Sequence, residues 1–329
     1  MGTRVSLERD SVKRHRLSDG DVSVSILNLG CITQDWRVPL GQERIPVVLG
    51  YASPQDYLHN PNFLGPIAGR VANRIENASF SIDGERFDLA TNEGDHCLHG
   101  GPLGIGKRHW EMSPDGDKAV QLNLRSEHGD QGFPGRVDFE VTISLAGNTL
   151  TYDMRAKVDR PTPINLAQHS YYNLMGGSED ITRHRLCLAA ENITETDNQN
   201  IANGQTQTVS GTRYDFTSSK ELLTADPSAL GYDHNFVLSH ASPCKAKVTA
   251  PNGLSLRLET DQPCLQLYTA SKLQSWHPPL SGQTHAPFYG LCLEPQGYPN
   301  AVNIPAFPTT IVTPDHPYRQ LLKVSICAE

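Results

Sequence analysis

One carboxylate in the chain follows an apolar strand pattern, where it is withdrawn from water. Glu294 comes directly after Leu291-Cys292-Leu293 and directly before Pro295. A carboxylate in apolar surroundings loses hydration, so such a group commonly has a charged partner or a function. The proline is expected to block further strand pairing. The pattern therefore predicts that Glu294 ends its strand at a site that needs a carboxylate, for example for acid–base chemistry.

A histidine and two arginines stand in similar strand-like surroundings. His169 lies within the aromatic run QHSYYNL (168–174), where it can serve acid–base catalysis or be a core histidine with satisfied hydrogen bonds. Arg70 and Arg74 are four residues apart, a spacing that puts them on one face of a strand or a helix. An arginine fork binds vicinal hydroxyls or a carboxylate, and the alternative is an ordinary ion pair at the surface.

Two further segments combine histidines with glycine or aspartate. His96 and His99 form an H-x-x-H pattern followed by Gly100-Gly101, where the backbone can approach a ligand closely. This pattern lacks a third ligand at a recognisable spacing, so we do not expect a metal site. Asp233 precedes His234 at the start of an apolar strand, where it can orient sugar hydroxyls or cap a turn.

Period-2 alternation of apolar and polar residues predicts the strands that hold these groups. It is clear in VSVSI (22–26) and in the runs SFSI and RFDL, which flank the turn Asp83-Gly84. Longer hairpins are predicted at 137–158 and, around Asn252-Gly253, at 245–260. Only short helices are expected, near 53–58 and 218–223. Many short strands joined by turns predict an antiparallel β-sandwich, and the lack of a repeat or a linker predicts one domain over residues 1–329.

The composition restricts the class of function. A chain of 329 residues can bury a large core, so the fold needs neither disulfides nor metals. A net charge of −8 argues against a nucleic-acid or acidic-membrane partner. The seven scattered cysteines include no C-x-x-C pair, and neither an apolar leader near the N-terminus nor a long apolar run is visible. We therefore expect a cytoplasmic protein with reduced thiols and no membrane segment.

Taken in order, the five polar segments resemble the aldose 1-epimerase (galactose mutarotase) family. The matching segments are GRVANRI (69–75), LHGG (98–101), QHSYYNLMG (168–176), GYDHNF (231–236) and LEPQGYPNAVN (293–303), and GDQGFPG (129–135) resembles a further family segment. The resemblance extends over residues 26–322, and the combination is far more specific than any single motif. It implies a large antiparallel β-sandwich of the galactose mutarotase type, with an open sugar cleft and no cofactor.

The resemblance also implies roles for individual residues. Glu294 would be the general base and His169 the general acid in opening and closing a sugar ring between its α and β anomers. The residues implied in binding the sugar hydroxyls are Arg74, His99, Asp233, Asn73 and Gln266. For this chemistry Glu294 would start ionised, and a nearby carboxylate is expected to raise the pKa of His169 so that it starts protonated.

Some positions differ from the family pattern and leave the identity of the sugar open. Gln168 stands where the family often has an asparagine before the histidine, and Ala270-Ser271-Lys272 replaces a Gly-Asn pair. The loop 274–288 is also individual. Lys272, Arg70 and Trp276 are therefore candidates to contact a phosphorylated, acidic or sulfonated sugar.

Two other functions fit parts of the pattern. A non-catalytic sugar-binding β-sandwich needs the hydroxyl-binding residues and has no need of Glu294 with His169. A glycoside hydrolase needs a second carboxylate to work with Glu294, and Asp233 is the one candidate. In each case the partner is a small-molecule sugar, and we expect the protein to be a monomer or a homodimer.

Overall fold

The computed structural model describes residues 11–329, and almost all of the regular structure in them is β. Residues 1–10 form most of the N-terminal segment in which no apolar leader is visible, and they lie outside the described residues.

The strands of residues 11–329 are short, as the alternation predicts, and most have between two and eight residues. In chain order they are β1 (Arg14–Asp19), β2 (Val22–Leu27), β3 (Thr33–Leu40), β4 (Glu43–Pro46), β5 (Ile67–Ala68), β6 (Arg74–Ile75), β7 (Ser79–Ile82), β8 (Glu85–Asp88), β9 (Cys97–Leu98), β10 (Glu111–Asp115), β11 (Ala119–Ser126), β12 (Val137–Ala146), β13 (Thr149–Val158) and β14 (Thr162–Pro163). They continue with β15 (Ala167–Gln168), β16 (Tyr171–Tyr172), β17 (Arg185–Leu188), β18 (Ala190–Thr196), β19 (Ala202–Thr208), β20 (Lys220–Glu221), β21 (Asp233–Leu238), β22 (Cys244–Thr249), β23 (Leu254–Thr260), β24 (Cys264–Tyr268), β25 (Leu291–Gln296), β26 (Ile311–Val312) and β27 (Tyr318–Ala328).

Two large antiparallel sheets share one apolar core. The nine-stranded sheet has the order β10-β11-β12-β13-β27-β23-β22-β17-β20, and the six-stranded sheet has the order β16-β25-β24-β21-β18-β19. Alternate side chains of β12, β13 and β27 are buried, and they pack in the same cluster as Phe236, Leu265 and Leu293 of the six-stranded sheet. A four-stranded sheet, β1-β2-β3-β4, adds Val24 and Trp36 to this cluster. The predicted antiparallel β-sandwich is confirmed.

The predicted hairpins are also confirmed. β7 and β8 pair around Asp83 and Gly84, both of which have positive φ (51° and 84°), as a type I′ turn requires. β12 pairs with β13, and β22 pairs with β23 around Asn252-Gly253. Turn residues and alternation together therefore fix these registers.

Helices are few and short. The one predicted near 53–58 is a 3₁₀ turn over Pro54–Leu58 that begins after Ser53, and the one predicted near 218–223 is α1 (Leu222–Ala225), which starts later than expected. Four more 3₁₀ turns are Glu76–Ala78, Ile105–Lys107, Asp130–Gly132 and Ala301–Asn303. Within residues 11–329 we find no helix with the length and apolarity needed to cross a membrane.

The strand that carries Glu294 does not end there, contrary to the prediction. β25 continues beyond it, and Pro295 is paired with Leu265 of β24. On its other side β25 pairs with β16 only as far as Cys292. Beyond Cys292, no described strand pairs with this edge of β25. The backbone N–H that Pro295 lacks is therefore not needed for pairing at this edge.

Neighbouring strands of the six-stranded sheet bring three polar segments together. Gln266 of β24 pairs with Glu294 of β25. On its other side β24 pairs with β21, which begins at Asp233. His169 lies two residues before β16, the second neighbour of β25. Segments that are more than 60 residues apart in the chain therefore meet at one edge region of the sheet.

A short two-stranded sheet brings in the remaining segments. β6 begins at Arg74, which pairs with Leu98 of β9, and His99 follows directly. Gly100 then has a φ of +83°, and a Cβ on it would lie 2.0 Å from the carbonyl oxygen of Gly69. Because only glycine permits this approach, the Gly-Gly step lets the chain after His99 pass against residues 69–70.

Candidate active site

One open cavity of about 250 Å³ gathers the predicted site residues. Those implied by the resemblance that line it are Asn73, Arg74, His99, His169, Asp233, Gln266 and Glu294. Lys272, a candidate because Ala270-Ser271-Lys272 replaces the family's Gly-Asn pair, also lines the cavity. A concave site with a few convergent polar groups and buried ionisable residues is typical of small-molecule binding.

His169 and Glu294 lie side by side in the buried part of the cavity. Nε2 of His169 is 3.6 Å from Oε1 of Glu294, and the two residues are only 6% and 3% exposed. On the other side of the imidazole, Nδ1 lies 3.8 Å from the Sγ of Cys292. Cys292 and Glu294 are two residues apart on β25, so their side chains share a face of the sheet. The imidazole of His169 therefore lies between a thiol and a carboxyl group.

Burial moves both members of this pair toward their neutral forms. The pKa of Glu294 is raised well above its ordinary value, mainly by loss of hydration and further by the charge of Asp233. The pKa of His169 is lowered to about 4 by burial, although a backbone hydrogen bond and the charge of Asp233 act in the opposite direction. The prediction that a carboxylate raises the pKa of His169 is therefore wrong. The cost of burying a charged imidazole exceeds the attraction of the neighbouring carboxylate.

A chain of side-chain hydrogen bonds forms one wall of the cavity. The amide of Asn73 donates to Oε1 of Gln266 (3.1 Å), and the amide of Gln266 donates to Oδ1 of Asp233 (2.6 Å). Oδ2 of Asp233 lies 4.0 Å from Nη2 of Arg74. Arg74 also donates from Nε and Nη2 to the two carboxylate oxygens of Glu93, at 2.6 and 3.0 Å. The wall thus presents donors and acceptors in fixed positions, as the recognition of several sugar hydroxyls requires.

His99 is held as a neutral imidazole with its proton on Nε2. The backbone N–H of Asn73 donates to Nδ1 at 3.2 Å, so Nδ1 is the acceptor. Burial lowers the pKa of His99 well below its ordinary value. The ring of Phe63 stacks on the imidazole, with centroids 5.0 Å apart and planes 5° apart, and His169 meets it edge-on at 5.4 Å. His99 can therefore donate a hydrogen bond from Nε2 to a ligand.

Three residues around the cavity have a left-handed backbone conformation. The φ angles are 54° for Phe63, 65° for Asn73 and 52° for His99. Such a conformation costs a residue other than glycine about 1–3 kcal/mol and persists only where the surrounding fold holds it. The fold therefore fixes the two rings and the Asn73 amide before a ligand binds.

Three candidates from the sequence, His96, Arg70 and Trp276, are not among the residues that line the cavity. Nδ1 of His96 accepts from the backbone N–H of Asn77, and its Nε2 is 2.8 Å from Gln199, so His96 has a structural role. Arg70 is buried, and its five N–H groups donate to Oγ of Ser126 and to the carbonyl oxygens of residues 126, 127, 134 and 135. The prediction that Arg70 contacts a charged sugar is therefore wrong, because its guanidinium has no donor left for a ligand.

Several lining residues were not predicted from the sequence. They are Pro61, Asn62, Phe63, Glu93, Leu98, Tyr171, Tyr268 and Leu273. Glu93 stands close before His99 in the chain, but only its pairing with Arg74 reveals its place in the site. Phe63 also meets the ring of His169 edge-on at 5.4 Å, and it lies in a segment without readable periodicity. Positions 171 and 268 could have been found, because each lies two residues from a predicted site residue.

The described residues contain one group of side chains close enough to share a metal ion. The ligand atoms of His169, Cys292 and Glu294 lie within 4.8 Å of one another. His169 turns Nδ1 toward the thiol and Nε2 toward the carboxyl group, so its ring separates the other two ligands. A metal ion binds an imidazole through one nitrogen, and this arrangement therefore suits hydrogen bonding better than shared coordination.

The chain is similar in sequence to known sugar epimerases. A protein-family model described as Aldose 1-epimerase matches residues 13–325. The chain is 34% identical over 315 residues to galactose mutarotase of Sus scrofa, a match that covers 94% of this chain and 92% of that protein. It is also 34% identical over 320 residues to aldose 1-epimerase of Escherichia coli K12, with 93% and 92% covered.

The fold is shared with solved structures of the same kind. The GalM/aldose epimerase homologue from C. elegans has a TM-score of 0.92 and 26% identity, over 97% of this chain and 99% of that chain. Galactose 1-epimerase from Lactobacillus acidophilus NCFM has a TM-score of 0.83 over 97% and 99% of the two chains. At 23% sequence identity, this similarity shows a shared fold and nothing more. The predicted galactose mutarotase-type fold is confirmed.

Proposed function

The chain belongs to the aldose 1-epimerase family, and we propose that His169 and Glu294 are the acid–base pair with which it exchanges sugar anomers. The protein is an isomerase, a mutarotase that interconverts the α and β anomers of an aldose. The observation that carries the assignment of the pair is the 3.6 Å separation of its members inside the cavity. Nothing in the family match favours a non-catalytic sugar-binding protein or a glycoside hydrolase.

The reaction requires one proton to leave the O1 hydroxyl and one to reach the ring oxygen O5. We assign the first transfer to Glu294 as base and the second to His169 as acid. With the closed sugar, the pair is then a carboxylate and an imidazolium. With the open aldehyde it is a neutral carboxyl group and a neutral imidazole. Closure on either face of the aldehyde reverses both transfers, so the pair holds one proton in total at every stage.

The two protonation states of the pair differ by the position of one proton. The pKa directions favour the neutral arrangement in the free protein. Moving the proton from Oε1 of Glu294 to Nε2 of His169, across 3.6 Å, gives the ionic arrangement. Arg74 opposes the rise in the pKa of Glu294, and Asp233 opposes the fall in the pKa of His169. The charge of Arg74 therefore reduces the cost of the Glu294 carboxylate that ring opening requires, whereas Asp233 favours the imidazolium of His169 and disfavours that carboxylate.

The sugar hydroxyls are assigned to the polar wall and to His99. Nε and Nη2 of Arg74 donate to Glu93, and its Nη1 makes no hydrogen bond to any residue that the structure describes. His99 offers Nε2–H, and Asp233 offers carboxylate oxygens beside the amide of Gln266. Asn73 reaches the same network through Gln266. Hydrogen bonds to these hydroxyls orient C1 and O5 of the sugar against the acid–base pair.

The substrate proposed first is galactose, because the relative from Sus scrofa is named galactose mutarotase. The test is polarimetry on freshly dissolved α-galactose and α-glucose, with the spontaneous rate subtracted. We expect acceleration of both, with galactose at least as fast as glucose. No acceleration of either sugar would contradict a neutral aldohexose as substrate.

We further propose a cytoplasmic protein with one domain over residues 1–329 that is a monomer or a homodimer. The seven free cysteines support a reducing compartment. Cell fractionation and light scattering test the location and the oligomeric state.

A further inference from the structure

Cys292 lies against the imidazole of His169 on the side opposite Glu294. Its Sγ is 3.8 Å from Nδ1, whereas Nε2 faces Oε1 of Glu294 at 3.6 Å. His169 and Glu294 line the sugar cavity, and Cys292 is fully buried and is not among the lining residues. Any influence of the thiol on a bound sugar therefore passes through the imidazole.

Two tyrosines flank the thiol in the sheet and help to hold the imidazole against it. Cys292 pairs with Tyr171 of β16 on one side and with Tyr268 of β24 on the other. The two tyrosine rings meet edge-on at 6.1 Å, and the ring of Tyr171 lies 5.2 Å from that of His169. Both backbone groups of His169 are also hydrogen-bonded, to residues 65 and 66. Nδ1 is therefore fixed toward the sulfur.

The position of the imidazole proton follows from the proton transfer assigned to the pair. In the neutral arrangement Glu294 carries the shared proton and passes it to Nε2 of His169, so Nε2 is then unprotonated. A neutral imidazole carries one N–H, which must be on Nδ1. The side-chain atom that Nδ1 meets is Sγ of Cys292. The mechanism therefore needs an acceptor where the structure places a sulfur atom.

The sulfur is a neutral and weak acceptor for this N–H. Burial raises the pKa of Cys292 well above its ordinary value, and the charge of Glu294 raises it further, so the group remains a thiol. A carboxylate in the same place would stabilise the imidazolium and raise the pKa of His169. A thiol sulfur accepts only weakly. The imidazolium thus stays a strong acid, which suits the protonation of a weakly basic ring oxygen.

We propose that Cys292 is a positioning residue that accepts a hydrogen bond from Nδ1–H of His169 and so keeps Nε2 as the nitrogen that exchanges a proton. The proposal rests on the proposed function and adds a third side chain behind the acid–base pair. Without the sulfur, the imidazole can carry its proton on Nε2, and that tautomer cannot take the proton of Glu294. Loss of the thiol therefore lowers the competent fraction of the protein and leaves the sugar-binding wall intact.

The first test locates the imidazole protons directly. Protonated and unprotonated ring nitrogens differ widely in ¹⁵N chemical shift, and the signals of His169 are identified by their absence from His169→Asn. In the wild type at neutral pH we expect a protonated Nδ1 and an unprotonated Nε2, and in Cys292→Ala a mixture of the two tautomers. A protonated Nε2 with an unprotonated Nδ1 in the wild type would overturn the proposal.

The second test compares two variants that leave nearly the same space. Cys292→Ala and Cys292→Ser both remove the sulfur, and only serine retains an atom that can accept from Nδ1–H. We expect kcat to fall roughly fivefold in Cys292→Ala, the scale of one net hydrogen bond, and less than about twofold in Cys292→Ser, with KM unchanged in both. The matched control Cys264→Ala removes another buried sulfur from the same sheet, on β24, and should keep kcat.

The dependence of kcat/KM on pH separates a hydrogen bond from packing. A hydroxyl stabilises the imidazolium more than a thiol does, so Cys292→Ser should raise the pKa of His169 and move the acid limb upward from about pH 4. The other titratable groups that face His169 are the same in this variant, namely Glu294, Tyr171, His99 and Asp233. An acid limb that stays in place would count against the hydrogen bond.

Failure of this proposal can be distinguished from failure of the proposed function. Equal losses in Cys292→Ala and Cys292→Ser, with the same tautomer as the wild type, would show that Cys292 only fills space, and the acid–base pair would still stand on Glu294→Gln and His169→Asn. If those two variants exchange anomers as fast as the wild type, the acid–base assignment fails, and the ¹⁵N spectrum still decides which nitrogen of His169 carries the proton.

Discussion

Oε1 of Glu294 and Nε2 of His169 lie 3.6 Å apart, and both side chains are withdrawn from water. At this separation a carboxyl group and an imidazole compete for one proton, and burial penalises each of their charged forms. The pair therefore titrates as a unit, and a change in either member alters the proton affinity of the other.

Replacing His169 with asparagine should lower kcat and leave KM nearly unchanged. The variant keeps a polar side chain in the site but cannot deliver a proton to O5, a loss of about 10²-fold or more. Polarimetric rates over a range of sugar concentrations separate the two parameters. A rise in KM at constant kcat would instead assign His169 to binding.

The acid limb of the profile of kcat/KM against pH should lie well below the value for an ordinary histidine. Burial lowers the pKa of His169 to about 4, so the form with protons on both His169 and Glu294 accumulates only near that pH. The pair with one proton is therefore retained from neutral pH down to about pH 4. Initial rates between pH 3.5 and 8 give the profile of the free enzyme. A limb centred at or above 6.5 would contradict the account.

The free energy of unfolding should fall as the pH drops from 6.5 to 4. Burial lowers the pKa values of His184 and His285 to about 4, whereas an unfolded histidine titrates near 6.5. In this window the unfolded chain binds more protons, so folding weakens by up to about 3 kcal/mol for each residue. Urea titrations at several pH values measure the slope. The slope should decrease in His184→Gln and stay unchanged in His240→Gln, which alters an exposed histidine; equal slopes in all three proteins would refute the prediction.

Arg74→Ala should mainly raise KM, because Arg74 is assigned to hydroxyl binding, with a smaller loss in kcat because its charge also lowers the pKa of Glu294. Glu93→Gln should raise KM by a smaller factor, since it weakens the two hydrogen bonds that orient the guanidinium and leaves the arginine in place. Saturation curves with galactose as substrate test whether KM rises more in Arg74→Ala than in Glu93→Gln. A loss in kcat at unchanged KM would place Arg74 in the chemical step.

Much of the fold could be predicted because its information is local. The hairpin around Asp83-Gly84 and the pairing of β12 with β13 follow from alternation and turn residues that lie together in the chain. The continuation of β25 through Pro295 could not be predicted this way. It depends on how far β16 extends on the other side, which is a property of the assembled sheet.

The sequence predicted which residues form the site better than it predicted their pKa values. The motifs bring Glu294 and His169 into one hypothesis, and the structure places them in one cavity. The pKa of His169 was predicted in the wrong direction, because the degree of burial is invisible in the sequence. Glu93 and Phe63 were missed for a related reason, since their places in the site depend on contacts between distant segments.

The central claim is that Glu294 and His169 together move the protons of mutarotation. The most direct measurement is the rate of anomer exchange of galactose, followed by proton NMR at the C1 signals, for the wild type and Glu294→Gln at equal concentration. Circular dichroism and the thermal midpoint check that the variant is folded. The account predicts rapid exchange with the wild type and a loss of about 10²-fold or more with the variant. Wild-type exchange in folded Glu294→Gln would remove Glu294 from the reaction and contradict the account.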